Sequence, residues 1–160
     1  MRPPCRAARR EKGVAAIELA LIMTFFIGLL PFVLLFGRAF LVYTALQKSV
    51  HDAARYMATL PLAQMANGDA ATQHGTFARQ MVLEAMAETA PHMQAVSVSL
   101  DCIYLADDYN CGTLPSAPTQ VRVKVLMELP IAFMPDYASK WLPQLSAIPL
   151  RANAIVRYVN

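Results

Sequence analysis

Between Val14 and Gly37 the chain is apolar at almost every position, VAAIELALIMTFFIGLLPFVLLFG, and Glu18 is its sole ionisable residue. A hydrocarbon layer about 30 Å thick takes about 20 helical residues at 1.5 Å each. This stretch therefore predicts a membrane-spanning helix over residues 14–37. Beyond it the pattern becomes one-sided. Tyr43, Leu46, Val50, Ala53, Met57 and Leu60 recur at spacings of 3, 4, 3, 4 and 3. That is a heptad seam, and Gln47, Lys48, His51, Asp52 and Arg55 lie off it. Residues 38–60 should continue the helix as an amphipathic stem, giving a spine of about 70 Å from Val14 to Leu60 if unbroken. The seam has two uses open to it: packing on the chain's own head, or bundling with the stems of other subunits.

Residues 61–160 read as a separate head. Pro61 and Asn67-Gly68-Asp69 mark 61–74 as a hinge or loop. A second helix fits Thr76 to Thr89, with Gln80, Glu84 and Glu88 on a polar ridge and Val82, Ala85, Met86 and Thr89 opposite. Three stretches then alternate with a period of two. They are Val96 to Cys102, Val121 to Leu129, and Leu150 to Tyr158. One-sided alternation predicts an antiparallel sheet with one face covered by helix and one wet. The loop Ala106-Asp107-Asp108-Tyr109-Asn110 reads as an exposed turn, since its aspartates lack the alternate-ligand spacing of a calcium loop. Phe133, Met134, Tyr137, Trp141 and Leu142, set among four prolines, read by default as core filler. The expected fold class is α+β: a long amino-terminal transmembrane helix, an amphipathic stem, and a small head with a short helix and about three antiparallel strands.

Composition sharpens this picture at the amino terminus. The chain has 160 residues, 56% hydrophobic, with a mean hydropathy of +0.37. The apolar excess is concentrated in the first quarter. The net charge of +3 is equally uneven. Residues 1–13 carry Arg2, Arg6, Arg9, Arg10 and Lys12 against Glu11, a net of +4, and leave −1 for the rest. A nucleic-acid-binding domain keeps its positive charge on the folded part, so that function is excluded. Residues 1–13 instead form a basic leader that predicts a cytoplasmic amino terminus and an exported head. A cleaved secretory signal fits less well. Its apolar region runs 7–15 residues to a small-residue cut site, whereas here the run is longer and Phe40-Leu41-Val42-Tyr43 follows it.

Candidate chemistry is sparse. His51, His74 and His92 fall on three different elements, and there is no phosphate loop, nucleophile elbow or metal motif. The expectation is a protein without catalytic residues, cofactor or metal. Glu84 and Glu88 read as a solvated ridge. Cys5 lies in the leader and stays reduced in a cytosolic tail. Cys102 and Cys111 flank a short polar loop. They either pair in an oxidising compartment, stabilising the fold by about 2–3 kcal/mol, or remain two free thiols in a reduced one.

Glu18 is the residue that asks for a reason, because a carboxylate inside an apolar layer costs several kcal/mol. It is either a snorkelling side chain near the membrane edge or an acid awaiting a cation. A cut after Gly13 supplies that cation as the free amine of Val14, which can neutralise Glu18 of its own chain or of a neighbour and so fix an axial register. The stretch Arg9-Arg10-Glu11-Lys12-Gly13-Val14-Ala15-Ala16-Ile17-Glu18-Leu19-Ala20-Leu21 resembles the processing site of type IV prepilins: basic leader, glycine, and glutamate as the fifth mature residue. With Gly37-Arg38-Ala39-Phe40-Leu41-Val42-Tyr43-Thr44-Ala45-Leu46 and Asp52-Ala53-Ala54-Arg55-Tyr56-Met57-Ala58, it most resembles the TadE-like minor pilins or pseudopilins of Tad (Flp-type, type IVc) systems. One departure is Thr24, where those proteins usually place a proline; Pro31 comes seven residues later. The resemblance implies cleavage by a prepilin peptidase between Gly13 and Val14 and a place at the bacterial inner membrane with a periplasmic head. It also implies partners among the major pilin, a companion minor pilin, and the platform and motor proteins of an adhesive pilus. The rival expectations are an uncleaved single-pass anchored protein and an adhesin-like head displayed on a pilin stem.

Overall fold

The computed structural model describes residues 8–91, 94–105, 107–130 and 147–159. Helix α1, Ala8–Ala58, takes in both the apolar run and the seam. Pro31 lies inside it, and the helix continues on both sides of that missing N–H. Thr24, at the position where a proline was expected from the resemblance, adds a hydrogen bond instead. Its hydroxyl donates to the Ala20 carbonyl at 2.7 Å, which hides a polar group within the helix's own backbone. The chain divides into two compact units, one up to Arg38 and one from Ala39 onward.

The second unit is built around residues 42–60 of α1. Leu46, Val50, Ala53 and Met57 are fully buried, and Leu60 is buried after the helix ends. Tyr43 departs from the expected seam: it is 37% exposed, while its neighbour Val42 is buried. Val42, Ala54 and Ala58 join the buried face, so a row at spacing four lies beside the row of threes and fours. A helix facing a core needs that wider stripe, whereas a coiled-coil seam is narrower. The chain's own head thus takes up the apolar side of this segment, and bundling of that seam with other stems is not available from Leu46 onward.

After Pro61 the structure corrects the expected hinge. Residues 61–74 hold helix α2, Leu62–Met65, and the first turns of helix α3, Gly68–Thr89. The Asn67-Gly68-Asp69 group starts a helix: the Asn67 side chain accepts from the backbone N–H of Asp69 at 3.0 Å and of Ala70 at 3.4 Å. Asp69 adds a favourable charge in the first turn. Ala71, Ala78, Val82 and Met86 face the core, with Ala85 partly covered. Thr89 is exposed, contrary to the expected apolar face, and its hydroxyl donates to the Ala85 carbonyl.

Four strands follow: β1 Gln94–Tyr104, β2 Asp107–Asn110, β3 Gln120–Pro130 and β4 Ala147–Arg157. They form one antiparallel sheet in the order β2-β1-β3-β4. Strand β2 corrects the reading of 106–110 as an exposed turn. It pairs Cys102 with Tyr109 and Tyr104 with Asp107, and all four of its side chains are exposed. An edge strand held by backbone bonds, with no buried face, leaves no alternation in its sequence. The inner face is filled by Leu100 and Cys102 of β1, Val121, Val123, Val125, Met127 and Leu129 of β3, and Ala152 and Ala154 of β4. The register sets Val123 opposite Ala154 and Val125 opposite Ala152, small beside large. Pro149 sits in β4, an edge strand, where a residue without an N–H is tolerated. Phe133, Met134, Tyr137, Trp141 and Leu142 lie outside the described residues.

The end of the chain is tied to the end of α1. The buried Tyr158 hydroxyl donates to the Leu60 carbonyl at 2.6 Å, and Val159 N–H donates to the Ala58 carbonyl at 3.4 Å. Burial pushes the Tyr158 phenol above its ordinary pKa, which keeps it protonated as the donor this bond needs.

Candidate functional site

In the first unit, Gly13, Val14 and Glu18 occupy consecutive turns of α1. Val14 and Glu18 stand four residues apart on one helix face, about 6 Å along the axis. A side chain at Gly13 would meet nothing within 4 Å. Glycine inside a helix costs roughly 0.5–1 kcal/mol relative to alanine, and no packing among the described residues requires it there. Glu18 is exposed among Ile17, Leu19, Leu21 and Ile22, all large, apolar and exposed. Among the described residues it has no hydrogen bond and no ion pair. A carboxylate with no cation beside it among the described residues, set in a sheath of uncovered hydrocarbon, is a chemical oddity.

That sheath is extensive. From Gly13 to Arg38 every side chain is exposed except those of Pro31 and Leu35, which are half-covered. An exposed apolar surface of this kind marks contact with a membrane or with other chains. Among the described residues one helix, Gly13–Ala58, is long and apolar enough to cross a bilayer, with a mean hydropathy of 2.7 over its most apolar window. This is compatible with a single-pass membrane anchor.

The second unit holds the remaining sequence candidates. Leu46, Val50, Ala53, Met57 and Leu60 serve as core, as described above. The Tyr43 hydroxyl accepts from the Gln47 side chain at 2.8 Å. Cys102 and Cys111 are joined by a disulfide, with 4.9 Å between their Cα atoms, and this closes the β1–β2 hairpin. Beside it Gly112 adopts φ +86° against Gly68 and Ala71 of α3, a contact sequence reasoning did not single out. Cys5 and His92 lie outside the described residues.

The charged side chains that gather in the second unit form an ion cluster on the sheet. Asp108 pairs with Arg122, and Lys124 pairs with Asp101 at 2.9 Å and reaches Asp108 at 3.9 Å. These ions bridge β2, β1 and β3 on the outer face. His51 is exposed, whereas His74 shares a hydrogen bond with the Tyr56 hydroxyl at 2.8 Å. Glu84 accepts from Gln80 on the exposed ridge. Among the described residues, no group of three or more His, Cys, Asp or Glu side chains is placed to hold a metal ion.

No curated protein and no solved structure matches the chain. Residues 13–55 match the model of a protein family described as TadE-like protein, and the matched segment begins at Gly13, includes Glu18, and ends on the buried turns of α1. Over residues 13–55, then, the chain is similar to the TadE-like family.

Proposed function

We propose that the chain is a minor pilin-like subunit of a Tad pilus system, cut by a prepilin peptidase between Gly13 and Val14 and then inserted into the assembling pilus through its apolar helix. The TadE-like match associates it with such systems. The observation that carries the reading is Glu18, which has no ion pair among the described residues, on a helix whose side chains are open from Gly13 to Arg38 apart from the half-covered Pro31 and Leu35. Cleavage creates an α-amine at Val14, just over one helical turn from Glu18. Ammonium and carboxylate neutralise one another where water is scarce, and a pair formed between neighbouring subunits defines their axial offset. Gly13 serves the peptidase: a small, flexible residue at the cut offsets its own cost to the helix.

The head then sets position or contact in the assembly, with the major pilin, a companion minor pilin and the platform and motor proteins as partners. Its disulfide supports a periplasmic placement, because such bonds persist in oxidising compartments. The five basic residues of the leader support the same orientation. Two variants test the proposal in piliated cells. Gly13→Ala should block processing, and Glu18→Ala should leave cutting largely intact while reducing incorporation into pili. Normal piliation by both variants would sink the mechanism.

A further inference from the structure

The second unit carries an open groove of about 450 Å³, within the range of about 300–1,000 Å³ that small-ligand sites span. Its strand residues include two rows that run across β1, β3 and β4. The register sets Ser97 opposite Leu126 and Leu126 opposite Arg151; it likewise sets Ser99 opposite Lys124 and Lys124 opposite Asn153. Residues directly opposite share a face of the sheet, and with strands about 4.8 Å apart each row spans about 10 Å. Tyr43 and Gln47 of α1 also line the groove. The Gln47 amide donates to the Tyr43 hydroxyl at 2.8 Å, which leaves the Tyr43 hydroxyl proton and the Gln47 carbonyl oxygen for a ligand.

The charges in this lining select the class of ligand. Lys124 is already committed: its ammonium meets Asp101 at 2.9 Å and Asp108 at 3.9 Å. Arg151 is exposed and has no ion pair or hydrogen bond among the described residues, and no carboxylate belongs to the described lining. One uncommitted guanidinium matches one carboxylate, which its planar fork holds through two parallel N–H···O bonds. A phosphate dianion would call for a second free cation. The rest of the polar lining is hydroxyl and amide, and such groups both donate and accept. Their complement is a ligand rich in hydroxyls. Leu126, 48% exposed in the middle of its row, offers that ligand an apolar contact. We propose that the groove binds an acidic sugar, a hexuronate unit, with its carboxylate on Arg151 and its hydroxyls on the serine, asparagine, tyrosine and glutamine side chains. Cleavage at Gly13 has no bearing on this site.

The test titrates the isotope-labelled full chain with methyl β-glucuronide while amide chemical shifts are followed, in an amine-oxide detergent that carries neither sugar nor phosphate. Shifts should gather at Ser97, Ser99, Lys124, Arg151 and Asn153, with a dissociation constant of about 1 mM for a ligand of this size. Methyl β-glucoside, which lacks the carboxylate, should bind about tenfold more weakly. So should capped glutamate, which keeps a carboxylate without sugar hydroxyls. Arg151→Gln should weaken the glucuronide by about tenfold and leave the glucoside unchanged. Arg157→Gln, on the same strand but outside the lining, should change neither. Glucoside that binds as tightly as glucuronide overturns the carboxylate contact. Capped glutamate or inorganic phosphate that binds as tightly overturns the sugar, in favour of an acidic peptide or a bare anion. Equal weakening in both arginine variants means diffuse surface charge and overturns the site, as does a titration with no shifts at the groove.

Discussion

Replacing Gly112 by alanine tests how the disulfide-closed hairpin meets helix α3. Gly112 has φ +86°, a region that costs roughly 1–2 kcal/mol for a residue with a side chain. The added Cβ would lie 2.7 Å from the Ala71 Cβ and 2.9 Å from the Gly68 Cα. Carbon atoms at rest keep about 3.5–4.0 Å. One of the two neighbours is backbone, so relief requires the first turn of α3 to move, and overpacking of this kind costs about 1–3 kcal/mol. The two contributions together predict a loss of about 2–5 kcal/mol, or a fall of roughly 4–20 °C in the melting midpoint for a chain of this size. Gly75→Ala is the internal control. It lies within α3, has nothing within 4 Å of an added Cβ, and should stabilise by roughly 0.5–1 kcal/mol. Near-ultraviolet circular dichroism in detergent is the suitable readout, because it follows the aromatic residues of the head while far-ultraviolet signals are dominated by α1. If Gly112→Ala melts with the wild type, the close approach of hairpin and helix is wrong.

Three further outcomes test the core, the disulfide and Glu18. Leu46→Ala removes a fully buried side chain from the heart of the head and should cost about 2–5 kcal/mol in a urea titration, whereas Leu41→Ala, on an exposed position, should leave the head's unfolding midpoint unchanged. Reducing the Cys102–Cys111 bond opens a short loop, nine residues in sequence separation, and should lower stability by about 2–3 kcal/mol; unchanged melting with and without reductant would contradict this. Glu18→Gln keeps the shape of the side chain and removes its charge, so fractionation should still find the chain in membranes while its share in sheared pili falls. An undiminished share would remove the ion pair from the account.

What the sequence made legible was whatever burial writes into it. The apolar run of α1 and the alternation in β3 and β4 each follow from one face, or all faces, leaving water. Val121 to Leu129 could be assigned residue by residue for that reason. Strand β2 was hidden because Asp107–Asn110 buries nothing and is held by backbone pairing. The start of α3 was hidden because asparagine, glycine and aspartate serve turns and helix caps alike, and only the bonds of Asn67 to the N–H groups of Asp69 and Ala70 decide between them. Tyr43 fell on the seam by spacing, yet it stands on the first turn of the head, where cover is incomplete. The proposed processing site rests on a motif local in sequence: Gly13, Val14 and Glu18 lie on one stretch of helix. The Gly112 contact was not legible, since it depends on residues brought together from distant parts of the chain.

The central claim is that the chain is cut after Gly13 to free an amine for Glu18. Mass spectrometry of the intact chain, isolated from cells that are assembling pili, tests it most directly. The account predicts a mature protein that begins at Val14 and lacks residues 1–13, and a Gly13→Ala variant that retains them. A wild-type chain that still carries its leader in those cells would contradict it.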